Sequence, residues 1–340
     1  MAVPERYLDD SFFEHDPRPT ARTWLKHLGF LLLTLITTTI AGTLLPFGPI
    51  NTLPDSDPQS WPQIIQFGTS LPSRYVALVA DAVYLLLTDL RYLQYGLSFS
   101  ISLLFILISH EMGHYIACRI YKVDATLPYF IPTPPMIGPA GTFGAFIKIR
   151  SPMPSRKAVF DIGVAGPIAG FIALIPIAII GVGTMESVTA QQIASASGLV
   201  FSDPLLMQLI ASVRGTDLQV SSGNAFYYAA WVGLLVTALN LIPSGQLDGG
   251  HAIYAVFGET IHRWTGRIAF ILMAALSILG WVYFNSPSGF LIALLLGVMM
   301  RIKHPEPRDR SPLGAVRTVV AVLTLLIFVL CFLPFPIQIR

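Results

Sequence analysis

Three residues within one apolar segment have the types and the spacing of a metal site. His110, Glu111 and His114 stand in the order H-E-x-x-H inside the run LLFILISHEMGHYIACRI. Positions i and i+4 share one face of a helix, so both imidazoles can reach one metal ion while Glu111 stands beside them. Zinc lowers the pKa of bound water toward neutrality, and an adjacent carboxylate can take the proton that is released as a carbonyl is attacked. The pattern therefore predicts hydrolysis assisted by one zinc ion per chain.

The competing interpretation is that these side chains only form a hydrogen-bonded polar cluster between helices. In a chain with seven histidines, chance would produce this spacing in roughly a few of a thousand sequences of the same composition. Ionisable side chains at the centre of a membrane helix cost about 2.5 to 3.5 kcal/mol on insertion scales, and they usually serve a function. The apolar surroundings of the motif therefore favour metal binding.

A third ligand must come from another part of the chain. The extension of H-E-x-x-H that is typical of metzincins would place Gly at position 117 and His at position 120, where this sequence has Ala117 and Ile120. Candidates on the same side of the bilayer are Asp124, Asp161, Asp248, His251 and His262. Asp124 lies about 15 Å of helical rise beyond His114, too far unless the chain turns back. The residues alone leave the other four candidates open.

A second element downstream completes a family pattern. Site-2 proteases pair a membrane-embedded H-E-x-x-H with a later N-x-x-P-x-x-x-L-D-G, and this sequence reads NLIPSGQLDGGH from Asn240 to His251. The segments GTFGAFIKI (141–149) and AGPIAG (165–170) also resemble those that follow the metal helix in the family. The likeness runs from about Ser98 to Tyr254, and the chain is identified as a member of the site-2 protease family. The 42 residues from 184 to 225 are too few for the PDZ domain that many members carry, since independent domains begin at roughly 50 residues.

The resemblance implies an activity and a role for each site residue. Asp248 would be the third zinc ligand, Glu111 the general base, and Asn240 a group near the substrate backbone or the transition-state oxygen. The reaction would be that of a zinc-dependent intramembrane endopeptidase, cutting in or near transmembrane segments of membrane proteins in regulated intramembrane proteolysis. Without the resemblance, Asp248 could equally cap the following helix, and Asn240 could hydrogen-bond a neighbouring helix.

Composition places the chain in a lipid bilayer. Hydrophobic residues make up 54% of it and charged residues only 12%, which excludes a water-soluble protein of this size. Two cysteines exclude a disulfide framework and a cysteine zinc knuckle. The net charge of +2, with scattered basic residues, excludes nucleic acid as a partner. The fold class that follows is an all-α polytopic membrane protein whose partners are lipid and transmembrane protein substrates.

About seven transmembrane helices are predicted, since a spanning helix needs about 20 mostly apolar residues. The stretches are Trp24 to Leu45, Leu97 to Ile120, Phe160 to Gly183, Phe226 to Leu241, Ile268 to Phe284, Phe290 to Met300 and Val316 to Leu333. A further stretch, Tyr75 to Leu87, is too short to span comfortably and contains Asp81, so we expect it to be interfacial or re-entrant. Phe143 to Ile149 alternates like a β-strand, which predicts either a hairpin or an edge for an unwound substrate.

The distribution of basic residues predicts the orientation. With seven spans and a cytoplasmic N-terminus, all but four of the 21 basic residues fall inside, as the positive-inside rule requires. We therefore expect a cytoplasmic tail at residues 1–23 and a single membrane-embedded metalloprotease domain at 24–340, with core motifs at 97–254. The active site should lie toward the cytoplasmic side of a membrane that we assign to a prokaryotic cell, as its inner membrane.

A metal transporter, or a metal-binding membrane regulator without protease activity, is the alternative function. Histidines and acids near the middle of a bilayer also line ion pathways. A transporter would be expected to contain repeated halves with paired broken helices, and the sequence has no second copy of the H-E-x-x-H segment. Proteolysis is therefore the favoured interpretation.

Overall fold

The protein is described by a computed structural model at residues 19–44, 46–50, 60–189, 199–302, 307, 309 and 311–339. Within these residues the chain forms ten α-helices and three antiparallel pairs of short strands. The all-α class is confirmed. Most of the expected N-terminal tail, residues 1–18, lies outside the described residues.

Five of the described helices are long and apolar enough to cross a bilayer, namely α1 (Ala21–Thr43), α2 (Trp61–Thr88), α3 (Leu90–Ile120), α4 (Arg156–Gly183) and α8 (Glu259–Phe284). The shorter helices are α5 (Leu205–Arg214), α6 (Ala225–Leu241), α7 (Asp248–Phe257), α9 (Ser288–Met299) and α10 (Ala315–Cys331). The chain is thus a multi-pass membrane protein. All seven predicted stretches lie mainly within helices, but α9 has only 12 residues. Its length of about 18 Å is less than the roughly 30 Å of a hydrocarbon core.

The helices that contain the seven stretches alternate in direction between two ends of the bundle. We name one of them the hairpin end, because the β-hairpin described below follows α3 there. At this end, His27 near the start of α1 lies 2.8 Å from the carbonyl oxygen of Pro128. Arg317 near the start of α10 pairs there with Asp161 near the start of α4, at 2.7 Å. Tyr121, directly after α3, also donates a hydrogen bond to Asp161. The starts of α1, α4 and α10 therefore meet the end of α3.

The opposite end of the bundle, which we name the far end, collects the other helix termini. The hydroxyl of Tyr95, early in α3, donates to the carbonyl oxygen of Phe47 just after α1, at 2.7 Å. Ser286, directly after α8, donates to the carbonyl oxygen of Ile337 beyond α10, at 2.5 Å. Helices α1, α4, α8 and α10 therefore run from the hairpin end to the far end, and α3, α6 and α9 run back.

The centre of the bundle is formed by α3, α4 and α6. Its fully buried side chains include Phe99, Leu103, Leu174, Trp231 and Leu234. The hydroxyls of Thr39 in α1 and Ser100 in α3 lie 2.8 Å apart and join α1 to this centre. Because lipid is as apolar as leucine, such polar contacts and close packing hold membrane helices together.

A β-hairpin follows α3, as the alternation at 143–149 predicted. Strand β1 (Tyr129–Pro132) pairs antiparallel with β2 (Thr142–Phe146), with Tyr129 opposite Phe146. The hydroxyl of Thr37 in α1 donates to the carbonyl oxygen of Gly141 at 2.8 Å, which docks the hairpin on the bundle. Two further pairs, β3 (Glu186–Ser187) with β5 (Ser221–Ser222) and β4 (Leu199–Phe201) with β6 (Ile337–Ile339), were not predicted. Strands of two or three residues are too short to show an alternating pattern.

We expected the stretch Tyr75 to Leu87 to be too short to span. That prediction was wrong about the length of the helix that contains it. It forms the second half of α2, a helix of 28 residues that begins after Ser60 with Pro62 in its first turn. Proline is favoured at the start of a helix, because its fixed φ is helical and its missing N–H would have no partner there. The polar residues of the first half hid this helix from a search for apolar runs.

Candidate metal centre

The two histidines of the motif lie one turn apart on α3 and face the same point. Both side chains are buried, and their Nε2 atoms are 3.1 Å apart. The Nδ1 atom of His114 lies 2.7 Å from the carbonyl oxygen of Ile162 in α4. A carbonyl can only accept a hydrogen bond, so Nδ1 carries the proton and Nε2 keeps a lone pair. This is the arrangement that orients a histidine for metal binding.

Asp248 approaches both histidines from the first residue of α7. Its Oδ2 atom lies 3.2 Å from Nε2 of His110 and 3.4 Å from Nε2 of His114. Leu247, and not Asp248, occupies the N-cap position of α7, so the capping alternative does not describe this residue. Of the five candidates for a third ligand, Asp248 is the one that the structure groups with the two histidines.

Three glycines let the chain turn sharply into α7. Gly245 has a φ of +53°, a conformation that a side chain would strain. A Cβ atom on Gly249 would lie 2.0 Å from the carbonyl oxygen of Leu241, and one on Gly250 would lie 2.4 Å from that of Gly245. Only glycine therefore fits at these positions, and the turn that they permit brings Asp248 to the metal helix.

The separations of these donor atoms fit a zinc ion. Ligands at about 2.0 to 2.1 Å in tetrahedral geometry lie about 3.3 Å from one another, and the three separations here are 3.1, 3.2 and 3.4 Å. Two imidazoles and one carboxylate are also a typical set for catalytic zinc, in which a fourth position stays open for water or substrate. The donor set suits zinc in both geometry and chemistry.

Helix α4 packs directly against the two imidazoles at two glycine positions. A Cβ atom on Gly166 would lie 2.1 Å from Nε2 of His114, and one on Gly170 would lie 3.1 Å from Cβ of His110. Small residues four apart predict close contact between helices, but they do not reveal what lies opposite. Here the close contact forms a cradle around the metal-binding rings.

Glu111 is buried beside the two histidines, and the backbone N–H of Ile147 lies near its carboxylate. Ile147 directly follows β2. The carbonyl oxygen of the next residue, Lys148, accepts a hydrogen bond from the backbone N–H of Thr126, which lies on the opposite side of this segment. Backbone groups of successive residues in a strand point to opposite sides. The free edge of the strand, with the outward groups of Ala145 and Ile147, therefore faces the metal helix.

Asn240, near the end of α6, comes close to the same point. Its Nδ2 atom lies 3.5 Å from Nε2 of His110, which is at the limit of a hydrogen bond. The side-chain amide is therefore next to the atom that would bind the metal. From this position it can donate to an oxygen of a molecule bound in the open coordination position.

Two of the other candidate ligands, Asp161 and His262, make different contacts. The carboxylate of Asp161 accepts hydrogen bonds from Nε of Arg317 at 2.9 Å and from Nη2 of the same guanidinium at 2.7 Å. It also accepts a hydrogen bond from the hydroxyl of Tyr121. Nε2 of His262 lies 2.9 Å from the carbonyl oxygen of Gly245. Sequence reasoning missed the cluster of Asp161, Arg317 and Tyr121. The signal was a basic residue and an acidic residue, each near the start of an apolar helix.

Known proteins are similar to this chain in sequence. The sequence profile of peptidase family M50 matches residues 98–280. The chain is 29% identical over 327 residues to the probable zinc metalloprotease EGY1, chloroplastic, of Arabidopsis thaliana, a match that covers 94% of this chain and 55% of that protein. It is 28% identical over 253 residues to the EGY1 protein of Oryza sativa subsp. japonica, covering 72% and 42% respectively. The chain thus spans about half the length of the curated relatives that it matches. No solved structure matches it.

Proposed function

The chain belongs to peptidase family M50, the site-2 protease family, and on that premise we propose that it is an intramembrane zinc metalloprotease. It hydrolyses peptide bonds in or near transmembrane segments of membrane proteins. The observation that carries the proposal is the buried group of His110, His114 and Asp248 with Glu111 beside it. The two relatives named above are probable zinc metalloproteases by name. A general base beside three ligands has no use in metal transport, so the alternative function is not favoured.

Each residue of the site has a distinct role in this reaction. His110, His114 and Asp248 would hold the zinc ion. Zinc supplies Lewis acidity, which polarises the scissile carbonyl and makes water acidic enough to give up a proton near neutral pH. Glu111 accepts that proton and delivers it to the leaving nitrogen as the peptide bond breaks. Asn240 donates a hydrogen bond toward the carbonyl oxygen, on which negative charge develops.

The substrate must be unwound before it can react. A helix in a membrane satisfies its own backbone hydrogen bonds and surrounds its carbonyls with side chains. Each N–H or C=O group left unpaired in hydrocarbon would cost on the order of a few kcal/mol. The strand after Gly144 can supply partners, because its free edge faces Glu111. We propose that the unwound segment pairs with this edge and thereby places its carbonyl at the zinc site.

Proline within this strand is therefore expected to slow cleavage without releasing zinc. Ala145→Pro removes an outward N–H that a paired substrate would use, whereas Ala145→Val keeps it and suits a strand. We expect the proline variant to cut a membrane substrate several-fold more slowly than the valine variant, with equal zinc content.

In the same assay, replacing Gly or Pro near the cleavage site of the substrate with Leu should slow turnover, because the substrate helix is then harder to unwind. Equal rates in both comparisons would mean that strand pairing does not assist the reaction.

Zinc dependence tests the proposed function directly. The purified protein in detergent or nanodiscs is expected to contain one zinc ion per chain and to cleave a membrane-spanning peptide. A chelator should abolish cleavage and remove the zinc, and added zinc should restore both. Bound zinc without cleavage of any membrane peptide, in protein that keeps its helical content, would favour the metal-binding regulator.

We further propose that the hairpin end faces the cytoplasm of a prokaryotic cell, with residues 24–340 forming one metalloprotease domain in its inner membrane. Exposed basic residues at this end, such as Lys122, Lys148 and Arg150, support the orientation through the positive-inside rule. Labelling tests it, because Cys118 and Cys331 are buried and give a low background. In intact cells, an impermeant reagent should leave Lys148→Cys unlabelled but label Ser222→Cys at the far end. The reverse result would invert the orientation.

A further inference from the structure

Helix α2 carries one continuous apolar face, and the protein covers only half of it. At 100° per residue, Trp61, Ile64, Ile65, Gly68 and Leu71 fall on the same face. That face continues through Val79, Ala82 and Leu86 in the second half. The opposite face holds a polar stripe of Gln63, Gln66, Ser70, Ser73, Arg74, Asp81 and Thr88. Such a helix needs an apolar surface along one side and water along the other.

The second half of α2 finds its apolar surface at the far end of the bundle. Ala82 and Leu86 are buried against Ile40 and Leu44, where α1 ends, in a cluster that Leu93 of α3 also joins. No residue of α2 before Ala82 is buried. The apolar face of the first half is therefore continuous with an interface inside the protein, but within the described residues nothing covers it.

The exposed residues on that half are large. Trp61 is 77% exposed and Ile65 is 63% exposed. Trp is typical of the boundary between lipid and water, because its ring is apolar and its N–H is polar. The chemistry of this face thus matches the boundary region of a bilayer.

The path of the chain argues against an α2 that crosses the membrane. Ile50 pairs with Leu44 at the far end, and α3 also begins at that end. For α2 to span, the ten residues from Asn51 to Ser60 would have to return to the hairpin end, and their maximum reach of about 33 to 36 Å barely exceeds a hydrocarbon core of about 30 Å. They read NTLPDSDPQS, a polar sequence that would be costly to place in hydrocarbon.

A spanning α2 would also expose its polar stripe to lipid. Arg74 and Asp81 are both exposed on the structure, so neither would be shielded by neighbouring helices in the membrane. Charged groups that face lipid are costly. When the helix lies parallel to the membrane, the same stripe faces water and this cost disappears.

We propose that α2 lies on the bilayer surface at the far end of the protein. Its second half covers the ends of α1 and α3, and its first half rests on the lipid with Trp61, Ile64, Ile65 and Leu71 in the headgroup region. The partner of this surface is the lipid bilayer itself. This placement does not depend on the proposed enzymatic function.

A spin-label scan of α2 tests the placement. Single cysteines at positions 61 to 77 would be labelled in the full chain in lipid nanodiscs, and collisions with oxygen, which prefers lipid, would be compared with those of a water-soluble nickel chelate. The ratio of oxygen to nickel collisions should oscillate every 3.6 residues, several-fold higher at Ile64, Ile65 and Leu71 than at Gln63 and Ser70. A smooth rise along the segment would show a spanning helix and overturn the proposal. Low collisions with both reagents at Ile64 and Ile65 would show a protein partner, such as a second copy, and would also overturn it.

A matched pair of substitutions gives a second readout. Gly68→Cys places the label on the apolar face at a position with open space around it. In that background Ile65→Asp should lift the segment from the lipid and raise nickel collisions several-fold, whereas Gln66→Asp on the polar stripe should leave them unchanged. Equal responses to the two aspartates would contradict an oriented apolar face on lipid. Helical circular dichroism and a single monodisperse peak in size-exclusion chromatography of each variant would verify that the bundle is folded.

Discussion

Glu111→Gln is expected to keep its zinc and to lose proteolysis. General bases typically contribute about 10² to 10⁴-fold to the rate, so kcat/KM should fall by roughly that factor. Glutamine has the same shape as glutamate, and its amide oxygen still offers an acceptor to the nearby N–H of Ile147. Its amide cannot take a proton from water. Because Glu111 is not in the group of His110, His114 and Asp248, the zinc content should remain at one per chain.

The control for this prediction is His110→Ala, which removes a ligand and not the base. That variant should lose both zinc and cleavage. Elemental analysis of zinc and the cleavage rate of a membrane peptide would be measured on the same preparations. Equal loss of zinc in the two variants would contradict the separation of base and ligand.

The local part of the site could be predicted from sequence because it depends only on helical periodicity. His110 and His114 are four residues apart, and any helix brings such residues to one face. Asp248 lies far along the chain, and no local rule connects it to α3. Residue chemistry left it among several candidates, and the family resemblance selected it. The structure shows the physical reason, a turn that only glycine permits at Gly249 and Gly250.

Contacts between helices were the part that sequence could not supply. The pairing of Asp161 with Arg317 joins residues 156 positions apart, and a charge near the start of each helix does not show which helix lies opposite. Gly166 showed that α4 packs closely, but not that it packs on the ring of His114. The first half of α2 was missed because an amphipathic helix on a surface does not need an apolar run. Short-range patterns therefore predicted the elements, while the partners of those elements came from the three-dimensional structure.

The C-terminal end of the short helix α7 is held by the helix that packs against the two imidazoles. At its end, the guanidinium of Arg156 donates to the carbonyl oxygens of Ala255 and Val256, the latter at 2.6 Å. Arg156 is the first residue of α4, the helix that also contacts the two imidazoles. A cation at the end of a helix satisfies carbonyls that otherwise lack partners. Asp248 is thereby presented by a helix that is tied to the wall of the site.

Asp248→Ala is accordingly expected to release zinc or to weaken its binding strongly. Loss of a partner that only orients a ligand costs about 10 to 100-fold in metal affinity, so removing a ligand should cost more than that. Asp161→Ala is the matched control, since it removes a carboxylate from α4 that pairs with Arg317. It should lower the stability of the bundle but keep one zinc per chain, and Asp124→Ala should also keep it. Zinc affinity would be measured by competition with a chelator of known strength. If folded Asp248→Ala held zinc as tightly as the unmodified protein, the third ligand would have to be sought among Asp161, His251 and His262.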